Sequence, residues 1–287
     1  MMKNDENKPE DNMRIIITLI FLASLMIFSA NLAAQNFDHA IFDELLQKYV
    51  ANGLVDYQGL KAEHESLATY LKTLEQVDPD QFDQWSKNGQ MAFWINAYNA
   101  ITIEGILCNY PIQWGGLITR FRFQQNSIRQ ISGFWDKLFV KVMGKDLTLN
   151  DIEHKILRKE FDDPRIHFAI VCASIGCPVL ESRAFFADDL EQRLEQTTRN
   201  FINNQDKVRL DKQENVLYLS SIFDWYKEDF PVSVDGKTKF DEYKDSEAGI
   251  IEFVIGYFPK ADQQYIAQNQ PKIKYLDYDW SLNEQKK

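Results

Sequence analysis

The chain has 287 residues, a net charge of −11, 45% hydrophobic content and 13% aromatic content. An acidic chain with no cluster of Lys and Arg repels phosphate backbones, which excludes nucleic acid as a partner. Three cysteines and four scattered histidines provide neither a disulfide scaffold nor a zinc-ligand spacing, and there is no phosphate-binding glycine loop, so no metal and no cofactor are expected.

Residues 15–28 carry no charge, follow Arg14 and precede the small-residue run Ser29-Ala30-Asn31-Leu32-Ala33-Ala34. Basic residue, apolar core and small-residue exit form the order of a secretory signal, and the core falls short of the ~20 residues that a spanning helix needs. Residues 1–34 are therefore expected to be a cleavable signal peptide, and residues 35–287 a single exported domain, periplasmic or extracellular. The mixed charges before Arg14 point to Met13 as the true start. If the segment stays uncleaved, it becomes the one membrane contact expected.

Phe37, Ile41, Leu45 and Tyr49 recur at helical spacing, with Gly53 as a stop. Residues 90–108 predict a second helix, apolar nearly all round and hence buried, ending before Pro111. Residues 138–142 and 147–149 flank Gly144-Lys145 as a hairpin, and a helix follows over 151–161. Residues 166–172 predict a short strand, and 187–203 a long helix. A second hairpin spans 208–210 and 216–219. Helices near 222–227 and 248–258 follow, with a polar surface loop over 232–246 and a last strand near 273–278. The pattern predicts an α+β fold, an antiparallel or mixed sheet packed by helices, with a helical N-terminal third.

Four segments concentrate chemistry: Phe93-Trp94-Ile95-Asn96-Ala97-Tyr98-Asn99-Ala100, Leu149-Asn150-Asp151-Ile152-Glu153-His154, Arg165-Ile166-His167-Phe168-Ala169, and Cys172-Ala173-Ser174-Ile175-Gly176-Cys177-Pro178. In this order, with Phe134-Trp135 between the first two and Asp224-Trp225-Tyr226 beyond the last, the chain resembles the domain of unknown function 547 family over residues 88–230. That resemblance implies a domain carried behind a signal peptide and implies no activity.

Cys172 falls where the expected strand gives way to a turn, a place that suits a reactive thiol, and curled amides of residues 174–177 would lower its pKa and hold an oxyanion. A Cys172–Cys177 disulfide, or simple burial of both, explains the pair as well. Strand alternation turns His167 away from Cys172, which leaves His154 as the better base. Glu153 lies mid-arc on the apolar face of its helix, where it either caps back onto Asn150 or acts as an acid or orienting group. Asn96 and Asn99 share one face of the buried helix and need partners, either backbone or substrate.

The expected function is a cysteine-dependent hydrolase or acyl transferase of peptide or amide bonds, with Cys172, His154, Glu153 and Asn96 catalytic. Asn99, His167, Ser174 and Cys177 are expected to bind the substrate. Its partner would be a peptide, polymer or protein of the cell envelope. A thiol redox protein and a non-catalytic envelope-binding module with structural cysteines are the alternatives.

Overall fold

The computed structural model describes residues 36–137, 140–232, 240 and 243–286. The expected signal peptide, most of the 232–246 loop and the first two residues of the 138–142 strand lie outside them. Among the described residues no helix is long and apolar enough to cross a membrane.

The helix Lys87–Asn109 runs through the middle of the larger of two apolar cores, which explains its lack of a polar face. Ser86 caps it by accepting a bond from Gly89 N at 3.0 Å. Against it pack His64–Glu75, unforeseen in the sequence, and Asp151–Phe161, while Ala40–Tyr49 packs on His64–Glu75. The second core gathers Phe168, Phe201, Leu217, Phe223, Phe230 and Ile251 between the helices Leu190–Ile202 and Asp245–Ile255 and a three-stranded sheet. In that sheet Val208–Asp211 pairs antiparallel with Val216–Ser220, which pairs in parallel with Lys272–Leu276. The sheet is thus mixed, and the fold is α+β as expected.

Three local expectations need correction. The hairpin Val140–Val142/Lys145–Leu147 turns on Met143-Gly144, both at positive φ, so Lys145 belongs to the strand. The Asp151–Phe161 helix is wound as a π-helix, with i→i+5 bonding. Its capping box also lies two residues earlier than Asn150-Glu153: Thr148 Oγ1 accepts from Asp151 N, and the Asp151 carboxylate accepts from Thr148 N. Most consequential, residues 166–172 form no strand. Pro164–Phe168 is a 3-10 turn, begun by Asp163 accepting from Arg165 N, and the chain then continues irregularly between the two cores. Pro164 suits the first position of such a turn, and Asp163 bonding the next amides wins over the β-forming residues that follow.

The irregular stretch is held by the two buried asparagines. Asn99 Nδ2 donates to Ala169 O at 3.0 Å and its Oδ1 accepts from Val171 N at 2.9 Å. Asn96 treats Phe185 the same way, at 2.7 and 3.0 Å. Replacing Asn99 by Leu leaves two buried backbone groups unpaired, and we expect urea unfolding to show a loss of about 2–4 kcal/mol. A loss below about 0.5 kcal/mol would show that the clamp contributes nothing.

His39 is 2% exposed, with Nδ1 2.7 Å from the Tyr70 hydroxyl, and burial lowers its pKa to about 3. The unfolded chain binds a proton near pH 6.5 that the folded chain refuses, so His39 costs no stability above 6.5 and progressively more as pH falls toward 3. Between pH 8 and 5 the wild type should lose about 2 kcal/mol more than His39→Gln, by denaturant titration at each pH. Parallel pH curves for the two proteins would exclude this titration.

Candidate active site

A cavity of about 190 Å³ opens where the two cores meet. Tyr98, Trp135, Glu153 and His154 line it from the larger core, and Ile222, Trp225 and Tyr226 from the smaller one. His167, Ile170, Cys172 and Cys177 come from the irregular seam, and Tyr278 and Trp280 from the C-terminal segment. Because residues 166–172 are not a strand, alternation does not apply, and His167 faces the same cleft as Cys172.

Cys172 and Cys177 are bonded to each other as a disulfide. The Tyr278 hydroxyl donates to Cys177 Sγ at 3.0 Å and lies 3.2 Å from Cys172 Sγ. The loop between the cysteines is not a free nest of amides. Ile175 N donates to Ser281 O, Gly176 N to Asp279 O and Cys177 N to Ser174 O, so these amides cannot also hold an oxyanion. Ala173 sits at φ +59°, a conformation that costs an ordinary side chain about 1 kcal/mol, and its carbonyl accepts from Asn283 N.

One guanidinium sets the state of both histidines. Arg158 Nη1 lies 2.9 Å from His154 Nδ1. Since Arg only donates, that nitrogen must accept, and the proton of neutral His154 resides on Nε2. His154 therefore offers the cleft an N–H donor. Arg158 also grips Asp229 through Nε at 2.5 Å and Nη2 at 2.8 Å. Asp229 Oδ2 in turn lies 2.6 Å from His167 Nε2. Burial alone would raise the Asp229 pKa, but the bonds from His167 and Arg158 outweigh it and bring it to about 2. The ionised carboxylate requires an N–H at His167 Nε2, which leaves Nδ1 as the ring nitrogen not engaged by Asp229. The His167 ring, almost fully buried, stacks on Tyr226 with centroids 4.0 Å apart.

Glu153 is buried as expected but does not cap; it accepts from the Tyr98 hydroxyl at 2.9 Å. Burial, followed by the charge of Glu153, raises the pKa of both Tyr98 and Tyr226. The remaining expected site residues stay outside the cleft. Asn96 and Asn99 bond backbone, and Ser174 is buried with its hydroxyl unpartnered among the described residues. Sequence reasoning missed Arg158, Asp229, Tyr278 and Trp280. Arg158 stands four residues from His154 on one helix, a spacing that could have revealed it. Asp229 and Tyr278 carried no such local mark.

With fold and cleft described, the class is an α+β domain built around an aromatic cleft with a paired cysteine and a carboxylate-held histidine. Residues 82–202 match the family described as a protein of unknown function, DUF547. The resemblance drawn from the four segments thus holds over that stretch, although the match ends before Asp224-Trp225-Tyr226. No curated protein and no solved structure matches the chain.

Asp229→Asn keeps the shape of the side chain but removes the charge that both Arg158 and His167 face. We expect it to cost about 2–3 kcal/mol in urea unfolding at neutral pH, since the ion pair is largely shielded from water. The nearby, half-exposed Asp224→Asn should stay within about 0.5 kcal/mol of wild type. Equal effects of the two substitutions would remove Asp229 from its bridging role.

Proposed function

We propose that the cleft is the active site of an exported cysteine-dependent hydrolase or acyl transferase of peptide or amide bonds, with Cys172 as nucleophile and His167 as base. The observation that carries this reading is that His167, bonded on its other side by Asp229, lines the same cleft as Cys172. It revises the expected base, because the Nδ1 lone pair of His154 is already taken by Arg158.

With Cys172 as a free thiol, His167 Nδ1 takes the Sγ proton and the thiolate adds to the substrate carbonyl. Asp229 holds the imidazolium in place, as a carboxylate does in a nucleophile–His–carboxylate triad. His154 Nε2–H is a donor for the oxyanion. The C–N bond then breaks, the His167 proton passes to the leaving amine, and water or a second amine releases the acyl group from sulfur. Glu153, tied to Tyr98, orients the aromatic wall and does not touch the reacting atoms. In the bonded state Cys172 has no thiol, so activity requires reduction of the Cys172–Cys177 bond by a thiol reductant. Export is supported by Arg14, the apolar run 15–28 and the small residues after it, and by the disulfide itself, which suits an oxidising compartment. The natural substrate would be a peptide or polymer of the cell envelope.

That same disulfide favours a second reading, a non-catalytic module whose aromatic walls, with Trp225 stacked on Trp280 at 5.6 Å, bind an envelope ligand. Alkylation of the folded protein separates the two. Cys108 is the internal reference, since desolvation and its bond to Glu104 push its thiol up to about 11 and make it slow at neutral pH. After mild reduction, Cys172 should label faster than Cys108, and at least about tenfold faster than in His167→Gln. His154→Gln should leave the rate within about twofold. If Cys172 labels only after denaturation, or at the same rate in His167→Gln, the binding module becomes the better description.

A further inference from the structure

The segment that leaves the long helix is turned outward. From Gly105 to Trp135 there is no Asp or Glu, only Arg120, Arg122 and Arg129, in a chain whose net charge is −11. Within it the helix Leu117–Arg122 buries none of its residues. Leu117 is 74%, Ile118 80% and Phe121 89% exposed, and Trp114 is 42% exposed. Four large apolar side chains within eight residues of chain are a surface that water alone does not explain.

This exposure is built. Gln130, itself buried, accepts from Gly115 N at 3.0 Å through Oε1. Its Nε2 faces the carbonyls of Thr119, Phe123 and Gln124 at 3.2, 2.9 and 3.1 Å. One buried amide thus pins both ends of the segment, and a Cβ on Gly115 would fall 2.5 Å from Gln130 O. Arg120 lies over the Trp114 ring at 5.3 Å.

We propose that this surface docks onto an anionic lipid bilayer. Leu117, Ile118 and Phe121 would enter the boundary between headgroups and acyl chains, while Arg120 and Arg122 meet lipid phosphates. Charge complementarity selects the occupant. The exposed helix Leu117–Arg122 carries two arginines and no carboxylate, and Glu284 and Asp279 bond the chain past it, at Asn126 and Gln124. On an otherwise acidic protein this helix is drawn to a negative surface, while the rest of the molecule is repelled and so oriented away. Arg and Trp flanking aliphatic and Phe side chains are also the side chains that settle at a membrane interface. The patch adjoins the cleft, because Arg129 and Trp280, both lining it, pack on Phe123 at 5.0 and 6.2 Å. The docking needs neither the cysteine chemistry nor the N-terminal apolar run.

The test reads the patch locally in the full chain, so that binding through residues 15–28 does not confuse it. Vesicles of brominated phosphatidylcholine, with or without phosphatidylglycerol, quench tryptophan fluorescence, and the part due to Trp114 is the difference between wild type and Trp114→Phe. We expect quenching of Trp114 on the anionic vesicles only, abolished by high salt and by Ile118→Ser/Phe121→Ser. Arg120→Glu/Arg122→Glu should weaken it about tenfold or more. No quenching of Trp114, equal quenching on both vesicle types, or a dimer that Ile118→Ser/Phe121→Ser disperses would each overturn the proposal.

Discussion

Residues 169–172 belong to neither helix nor strand, so their backbone groups must find partners one at a time, and the Asn99 amide supplies two of them. A buried backbone group left unpaired costs about as much as a lost hydrogen bond, which is why such a segment cannot cross between two cores without a clamp. Asn99 offers a donor and an acceptor with the spacing of a peptide group and substitutes for a neighbouring strand. Asn96 does so for Phe185 one turn away. The helix Lys87–Asn109 therefore acts as a template on which irregular chain is laid. His167 and Cys172 reach one cleft because that chain is free of strand alternation.

Electrostatics within the cleft depend on Arg158 in the same way. By donating to His154 it converts that ring into a hydrogen-bond donor, and by gripping Asp229 it keeps a carboxylate ionised beside His167. Arg158 occupies Nδ1 of His154 and Asp229 occupies Nε2 of His167, so the two rings are left with different nitrogens free. Glu153 completes the arrangement by accepting from Tyr98, so the deepest carboxylate meets phenol rather than a second carboxylate.

Much of the fold was legible from periodicity. The long apolar helix, the hairpin ending in Val216–Ser220 and the helix Leu190–Ile202 each carry an unambiguous repeat or turn. The strand expected over 166–172 was not, because Ile, Phe and Val satisfy both a strand and a buried irregular segment, and Asp163-Pro164 fixes a 3-10 turn that propensity does not weigh. The segments forming the seam were recognisable by residue type, which is why Glu153, His154, His167, Cys172 and Cys177 appear together in the cleft. Asp229, Tyr278 and Trp280 were not legible, since their roles come from contacts across sixty residues and more of chain.

The cysteine loop shows how far the cleft depends on those distant contacts. Its amides donate to carbonyls of Asp279 and Ser281, Ala173 O accepts from Asn283, and the Tyr278 ring packs so closely on Gly176 that a Cβ there would lie 2.7 Å from it. Ala173 is held in a left-handed conformation that it would leave if those bonds were lost. One wall of the cleft lies within residues 82–202, which match the family, whereas Trp225, Tyr226, Tyr278 and Trp280 lie beyond them. Conversely, the cysteine pair without its C-terminal strap would be a solvent-facing loop with unpaired amides. The unit that defines the chemistry of this cleft is therefore larger than the stretch the family match covers, and the tyrosine that touches both sulfurs belongs to the part outside it.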